Sequence, residues 1–343
     1  MLATRILTLT LAFVLAGLFS SQAFAQRKTD VVTLYNGDRI TGEVKSLEGG
    51  LLKFSTDSMG TLQIEWQEIA QLQSKFYYEI RIGNGQRYFG SIEPATRPGQ
   101  LLVQDLDGQQ DLAWLQVVEV RPIEKNFVDR IELYLSAGLS YDRGSSITQT
   151  SLNTNISYEN ERGRTTLAGR STATDSDDKN TSSSKLDLRR AIWTDHPKWF
   201  RALLGSYESN DELDLDYRFG AGGGFGRFIL DSHRMRLIGI AGLQVITEQN
   251  QGAGKDQNLE LLLSSRFEMW EFNTPELELD FGFSLYPSLT DAGRLRSDSD
   301  LRLRWELIED LFFDITAYGT WDSRAEGETG LDYGVSTGLG WEF

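Results

Sequence analysis

The sequence predicts an all-β chain: a transmembrane antiparallel β-barrel of about twelve strands, preceded by two tandem small β units of SH3-like or Sm-like form. Three observations predict it. From about Asp129 onward, segments in which bulky residues alternate with small or polar ones follow one another with no helical periodicity. Their connections alternate between tight and longer polar ones, the asymmetry of barrels that cross a bilayer. Upstream, residues 30–122 contain two copies of one short-stranded unit.

The chain opens with MLATRILTLTLAFVLAGLFSSQAFAQ. One positive charge, Arg5, precedes an apolar run from Ile6 to Phe19, and Ala23-Phe24-Ala25 has the form of a cleavage site. This is the pattern of a secretory signal peptide over residues 1–25. The apolar run is shorter than the roughly 20 residues a spanning helix needs. The formal net charge of -16 argues against nucleic-acid binding. Cysteine is absent, which excludes disulfides, thiolate metal sites, a cysteine nucleophile and a lipidated N-terminal cysteine. Aromatics at 11%, 33 glycines and only 6 prolines suit many twisted strands.

The repeat copies are assigned to residues 26–76 and 77–125. Asn36-Gly37-x-Arg39-x-x-Gly42 matches Asn84-Gly85-x-Arg87-x-x-Gly90 at an offset of 48, and Trp66 matches Trp114. Asn-Gly between strand-like runs signals a hairpin, because a type I′ turn needs positive φ at both central residues. Each copy reads as a bent sheet of about five strands, with Trp66 and Trp114 as core plugs. Exposed aromatics at Tyr77, Tyr78, Tyr88 and Phe89 would instead mark a binding face.

The barrel is assigned to residues 129–343, with strands at 130–142, 148–158, 164–174, 185–194, 198–208, 216–228, 233–246, 257–270, 276–288, 295–307, 311–322 and 331–343. In the ninth, Leu277, Leu279, Phe281, Phe283 and Leu285 oppose Glu278, Asp280, Gly282, Ser284 and Tyr286. In the tenth, Leu301, Leu303, Trp305 and Leu307 oppose Arg302, Arg304 and Glu306. One set is too charged for a protein core unless its members are paired, so it is expected to face a polar lumen, with the apolar set toward lipid. Aromatics near strand ends, among them Tyr141, Trp193, Trp199, Trp270 and Trp341, suit interfacial girdles. Candidate lumen charges are Arg201, Arg266, Arg302, Arg304, Glu260, Glu268, Glu278, Asp280 and Glu306. DSDDKNTSSS, NDELDLD and EQNQGAGKD read as long loops, and ENERG, DHP and LDS as turns.

The final run places Tyr333, Val335, Leu339, Trp341 and Phe343 on one face. It predicts a last strand that closes on the first. It also resembles the C-terminal aromatic signature by which bacterial outer-membrane barrels are recognised by their assembly machinery.

LYNGDRITGEV, then LEGGLLKFSTDSMGTLQIEW, followed by a barrel ending in phenylalanine, resembles the bacterial salt-induced outer-membrane protein family, whose shared barrel is a domain of unknown function. The resemblance implies residence in the outer membrane of a Gram-negative envelope, with the N-terminal domain in the periplasm. It brings no activity and no catalytic residues. Here the N-terminal unit is duplicated, with Tyr88-Phe89 where the first copy has Ile40-Thr41.

Chemistry is sparse, and no enzymatic activity, cofactor or metal is expected. The two histidines, His196 and His233, fall in turns, and no zinc pattern surrounds them. The glycines of GAGGGFG at 220–226 lack phosphate-loop spacing and read as room for a bulky inward neighbour or a bend. Acidic runs at Asp175, Asp177 and Asp178, and at Asp211, Glu212, Asp214 and Asp216, read as solvated loop charge or as divalent-cation bridges to lipopolysaccharide. Expected partners are the bilayer with its lipopolysaccharide, the barrel assembly machinery, and a periplasmic protein or glycan for the repeats. Three roles stay open: a structural or envelope-stress protein, a narrow channel, and a barrel that anchors a periplasmic binding module.

Overall fold

The structure is a computed structural model that describes residues 28–95, 97–105, 108–123, 127, 130–142, 147–176, 180–211, 215–250, 252, 254–273, 275–308, 311–324 and 330–341. The expected signal peptide and Phe343 lie outside the described residues. What is described is almost wholly strand, in two sheets.

The N-terminal module comprises β1 (Asp30–Leu34), β2 (Arg39–Glu48), β3 (Leu51–Ser55), β4 (Thr61–Glu65), β5 (Ile69–Ile82), β6 (Arg87–Glu93), β7 (Gln100–Asp105), β8 (Gly108–Ala113) and β9 (Val117–Pro122). Short 3₁₀ turns at Trp66–Glu68 and Trp114–Gln116 precede β5 and β9. The sheet order is β4-β3-β2-β1-β5-β6-β7-β8, with β9 pairing both β2 and β5. Both Asn-Gly pairs lie in hairpins, but not at the centre of a type I′ turn: the Gly37 and Gly85 N–H groups donate to the Leu34 and Ile82 carbonyls, so Tyr35-Asn36 and Gly83-Asn84 hold the centre and the glycine follows. Gly37 and Gly85 have φ of 93° and 89°, and Asn36 and Asn84 each accept the backbone N–H two residues on.

The boundary placed between the copies at residue 76 falls inside β5, and there the structure corrects the sequence reading. The first half of β5 pairs with β1 of the first copy, and the second half with β6 and β9 of the second. One strand therefore serves both copies, and one hydrophobic cluster runs from Val32, Phe54 and Trp66 to Ile92, Trp114 and Val120. At its centre Trp66 and Trp114 stack with ring centroids 3.9 Å apart and planes at 9°. Each indole Nε1 donates to the other tryptophan's carbonyl, at 2.9 and 2.8 Å. Each ring thus fills the core and satisfies its partner's backbone at the same time.

Beside this cluster the Asp30 carboxylate is fully buried and accepts from Val44 N–H at 2.8 Å, from the Tyr78 hydroxyl at 3.0 Å and from the Ser74 hydroxyl. Burial raises the Asp30 carboxyl above its usual range, against the pull of these donors. The folded module therefore binds this proton more tightly than the unfolded chain does. The contribution to stability is full below the unfolded value of about 3.9 and is lost as pH rises through the folded value. Asp30→Asn is expected to flatten that decline between acid and neutral pH, read by urea unfolding at several pH values. Asp30→Ala strands three buried donors and is expected to cost about 1–3 kcal/mol at any pH.

The second sheet comprises β10 (Ile131–Asp142), β11 (Ile147–Asn160), β12 (Gly163–Asp175), β13 (Thr181–Trp193), β14 (Trp199–Asn210), β15 (Leu215–Asp231), β16 (Met235–Asn250), β17 (Lys255–Glu271), β18 (Leu277–Pro287), β19 (Leu295–Ile308), β20 (Leu311–Asp322) and β21 (Leu331–Trp341). Their order in space is their order in sequence, every pair antiparallel. All twelve expected strands are present, most of them longer than expected. DSDDKNTSSS is not mainly loop, because Ser184, Ser183, Ser182 and Thr181 pair with residues 171–174. Polar composition on both faces hid a strand there. The expected closure does not appear: among the described residues β10 pairs only with β11, and β21 only with β20.

Candidate functional site

Cross-strand partners point to one face of a sheet, so the register sorts this one cleanly. One face carries Leu203, Phe219, Phe225, Val245, Leu263, Phe281, Trp305 and Leu339, all exposed. The other carries arginines and carboxylates, of which Glu260, Glu248, Arg236, Arg294, Arg296 and Glu306 are buried. A water-soluble domain has the reverse distribution. Seven strands, β13 to β19, curl their charged face around one cavity of ≈ 400 Å³. This inner face is the candidate site.

At the end marked by the tight turns, the N-terminal module docks. Arg81 sits 4% exposed between Glu119 at 2.7 Å and Asp231 at the end of β15, with Phe228 under its guanidinium at 4.8 Å. Glu119 also meets Arg164 at 3.3 Å, and Glu48 meets Arg164 at 3.3 Å and Arg236 at 3.4 Å. Arg121 reaches Glu119 and Glu159. Burial alone would raise the Glu119 carboxyl, but Arg81, Arg164 and Arg236 override it and hold it at about 2. The backbones also approach closely. A side chain at Gly85 would run into the Pro197 carbonyl, one at Gly83 into that of Asp231, and one at Gly50 into Trp270. His233 Nδ1 lies 3.1 Å from the Leu115 carbonyl, so this turn histidine is part of the docking surface. His196 is exposed in its turn.

At the opposite end the β18–β19 connection prolongs the β17–β18 pairing. Leu289 N–H donates to the Leu259 carbonyl at 2.7 Å, and Leu259 N–H donates to Thr290 Oγ1 at 3.0 Å. Arg294 ties this loop to Glu248 at 2.6 Å and Asp322 at 2.8 Å. Arg296 holds Glu260 by two hydrogen bonds at 2.9 and 2.8 Å, and Arg218 joins Glu248 to Glu208.

Residues 135–343 match the family model described as Protein of unknown function, DUF481. The chain belongs to this family. No curated protein sequence matches it. The DUF481 region spans the twelve-stranded sheet from within β10 onward, and the module lies upstream of it.

Eight of the nine lumen-charge candidates share the inner face of the DUF481 sheet. Arg266 lines the cavity and pairs with Asp280. Glu268, Asp280 and Arg302 stand in one cross-strand row, Glu278 and Arg304 in the next. Glu260 binds Arg296, and Glu306 accepts the Glu276 N–H at 2.8 Å. Arg201 is the exception. It is exposed and pairs in register with outward Phe225, while its neighbours Phe200 and Ala202 are the buried ones. From Trp199 to Leu204 its strand is apolar on both faces apart from this arginine, so alternation gave no side to charge. Tyr333, Val335, Leu339 and Trp341 are all exposed on one face of β21. Asp211 accepts from the Ser182 N–H and hydroxyl, and Asp177, Asp178, Glu212 and Asp214 lie outside the described residues. Missed in sequence were Arg164, Arg218, Arg236 and Arg296, all legible as members of alternating sets. Arg81, Glu119 and Arg294 were missed too, and their role depends on docking and loop folding that no local pattern encodes.

Proposed function

We propose that the chain is an outer-membrane β-barrel, of the salt-induced class its sequence resembles, that forms a narrow passage shut at its periplasmic end by its own duplicated module. The observation that carries this reading is the reversed sheet: apolar side chains exposed outside, paired charges inside. In lipid, free edges on β10 and β21 would leave backbone groups unsatisfied, so these two strands pair in the membrane. The module's ion pairs with inward Arg164, Arg236 and Glu159 support the shut state. The binding-module alternative loses ground, because Tyr78 is in the core and Tyr88 packs against it, leaving Tyr77 exposed.

Planar-bilayer recording of the refolded protein tests the proposal. The full chain is expected to be silent, and a chain lacking residues 26–125 is expected to give steady steps. Silence from both, with folding shown by heat-modifiable gel migration, rejects the passage. A full chain that stays monomeric in water without detergent rejects the membrane reading.

A further inference from the structure

We infer that the cavity on the inner face of β13 to β19 binds a single-chain anionic amphiphile, an aliphatic chain ending in a carboxylate or comparable anion. The inference rests on the barrel reading and goes beyond it, since a passage for ions or water has no use for the wall this cavity has. Strands β14, β16 and β17 turn Phe200, Leu204, Ile238, Ile240, Ile246 and Leu262 inward, onto the cavity. An apolar wall inside a charged lumen gains free energy only when something apolar covers it. Between β14 and β16 stands β15, whose Gly220 and Gly222 also line the cavity, so that wall is flat as well as apolar.

The adjoining strand supplies the head-group site. Lys185 and Arg189 line the cavity from β13, and Arg170 stands beside Lys185 in register on β12. Among the described residues none of the three has a carboxylate within ion-pair distance, whereas Arg218, Arg266 and Arg296 are each held by one. Asp187 lies between Lys185 and Arg189 on the cavity wall, and the lining carboxylates Asp298 and Asp300 stand apart from them on β19. Glu208, opposite Lys185, is engaged by Arg218. A volume of ≈ 400 Å³ falls in the range of small-molecule sites.

The test is calorimetric titration of the full chain in phosphatidylcholine nanodiscs, with empty nanodiscs subtracted. Three probes are compared: decanoate, acetate, and decyltrimethylammonium. Decanoate is expected to bind and the other two are not, since one lacks the tail and the other reverses the head. Lys185→Gln with Arg189→Gln is expected to weaken decanoate about tenfold or more, the scale of one lost charge-assisted contact. Leu204→Ser is expected to weaken it too, while Arg201→Gln, which removes a positive charge from the outer face, leaves it unchanged. Equal binding of decanoate and decyltrimethylammonium, or wild-type affinity in the Lys185/Arg189 variant, overturns the inference. Co-elution with the nanodisc tests the membrane reading separately. If the protein stays outside, that reading fails and the same titration on the free protein decides the site.

Discussion

Arg81→Ala is expected to release the module from the sheet and to cost about 3–5 kcal/mol, the scale of breaking a buried ion pair from one side. Arg81 is one cation shared by two carboxylates, Glu119 and Asp231, that are themselves nearly buried. Its removal leaves both without their main counter-charge, and it also removes the face-on contact with Phe228. Arg81→Lys keeps the charge but loses the planar fork that reaches both acids, so an intermediate loss is expected. Because the chain has no cysteine, a Leu115→Cys, His233→Cys pair reports docking directly. Oxidation should cross-link module to sheet efficiently in the parent and poorly once Arg81 is replaced. Full cross-linking in the Arg81→Ala variant would show that the remaining contacts, the Glu48 and Arg121 ion pairs and the close glycine approaches among them, hold the module without Arg81. Acid is a poor substitute for the mutation. The Glu119 carboxyl is depressed, so its contribution is present above the unfolded value of about 4.3 and is lost only as pH falls through about 2.

Trp66→Ala should be the most damaging single change in the module, at about 3–5 kcal/mol. The ring is buried, stacked on Trp114, and donates to the Trp114 carbonyl. Its loss opens a cavity at the junction of the two copies and leaves a backbone acceptor unpaired. Trp66→Phe retains most of the volume and should cost less. Near-ultraviolet circular dichroism checks this, since two indoles stacked at 3.9 Å give a coupled signal that either substitution abolishes. Denaturant midpoints then separate the two variants. The core is continuous, so both copies should melt in one transition, and a biphasic melt would contradict the shared cluster.

Most of the fold was legible because alternation is a local signal. The period-two pattern alone places twelve strands and sorts β18 and β19 face by face. The pattern failed where it carries no contrast: in the first half of β14, apolar on both faces around Arg201, and in the Ser/Thr-rich start of β13, polar on both. Gly226 illustrates a middle case. The glycine run was read as room for a bulky neighbour, and a side chain at Gly226 would overlap the Phe200 ring. Sequence could say that space was needed, but not which ring needed it. The seals were out of reach, since Arg81 and Asp231 are 150 residues apart and nothing near either one announces the other. Gly83 and Gly85 looked like ordinary turn residues, and their role in docking depends on Asp231 and Pro197, far along the chain.

β5 belongs to both copies of the repeat. A duplication normally yields two parts, either of which can later be lost, moved or replaced. Here the two copies share a length of backbone, and that freedom is gone. Cutting out the first copy removes half of the strand against which the second is built, and cutting out the second does the same to the first. The duplicate is therefore inherited or discarded whole, and the two halves are free to diverge in sequence while staying bound to a common fate.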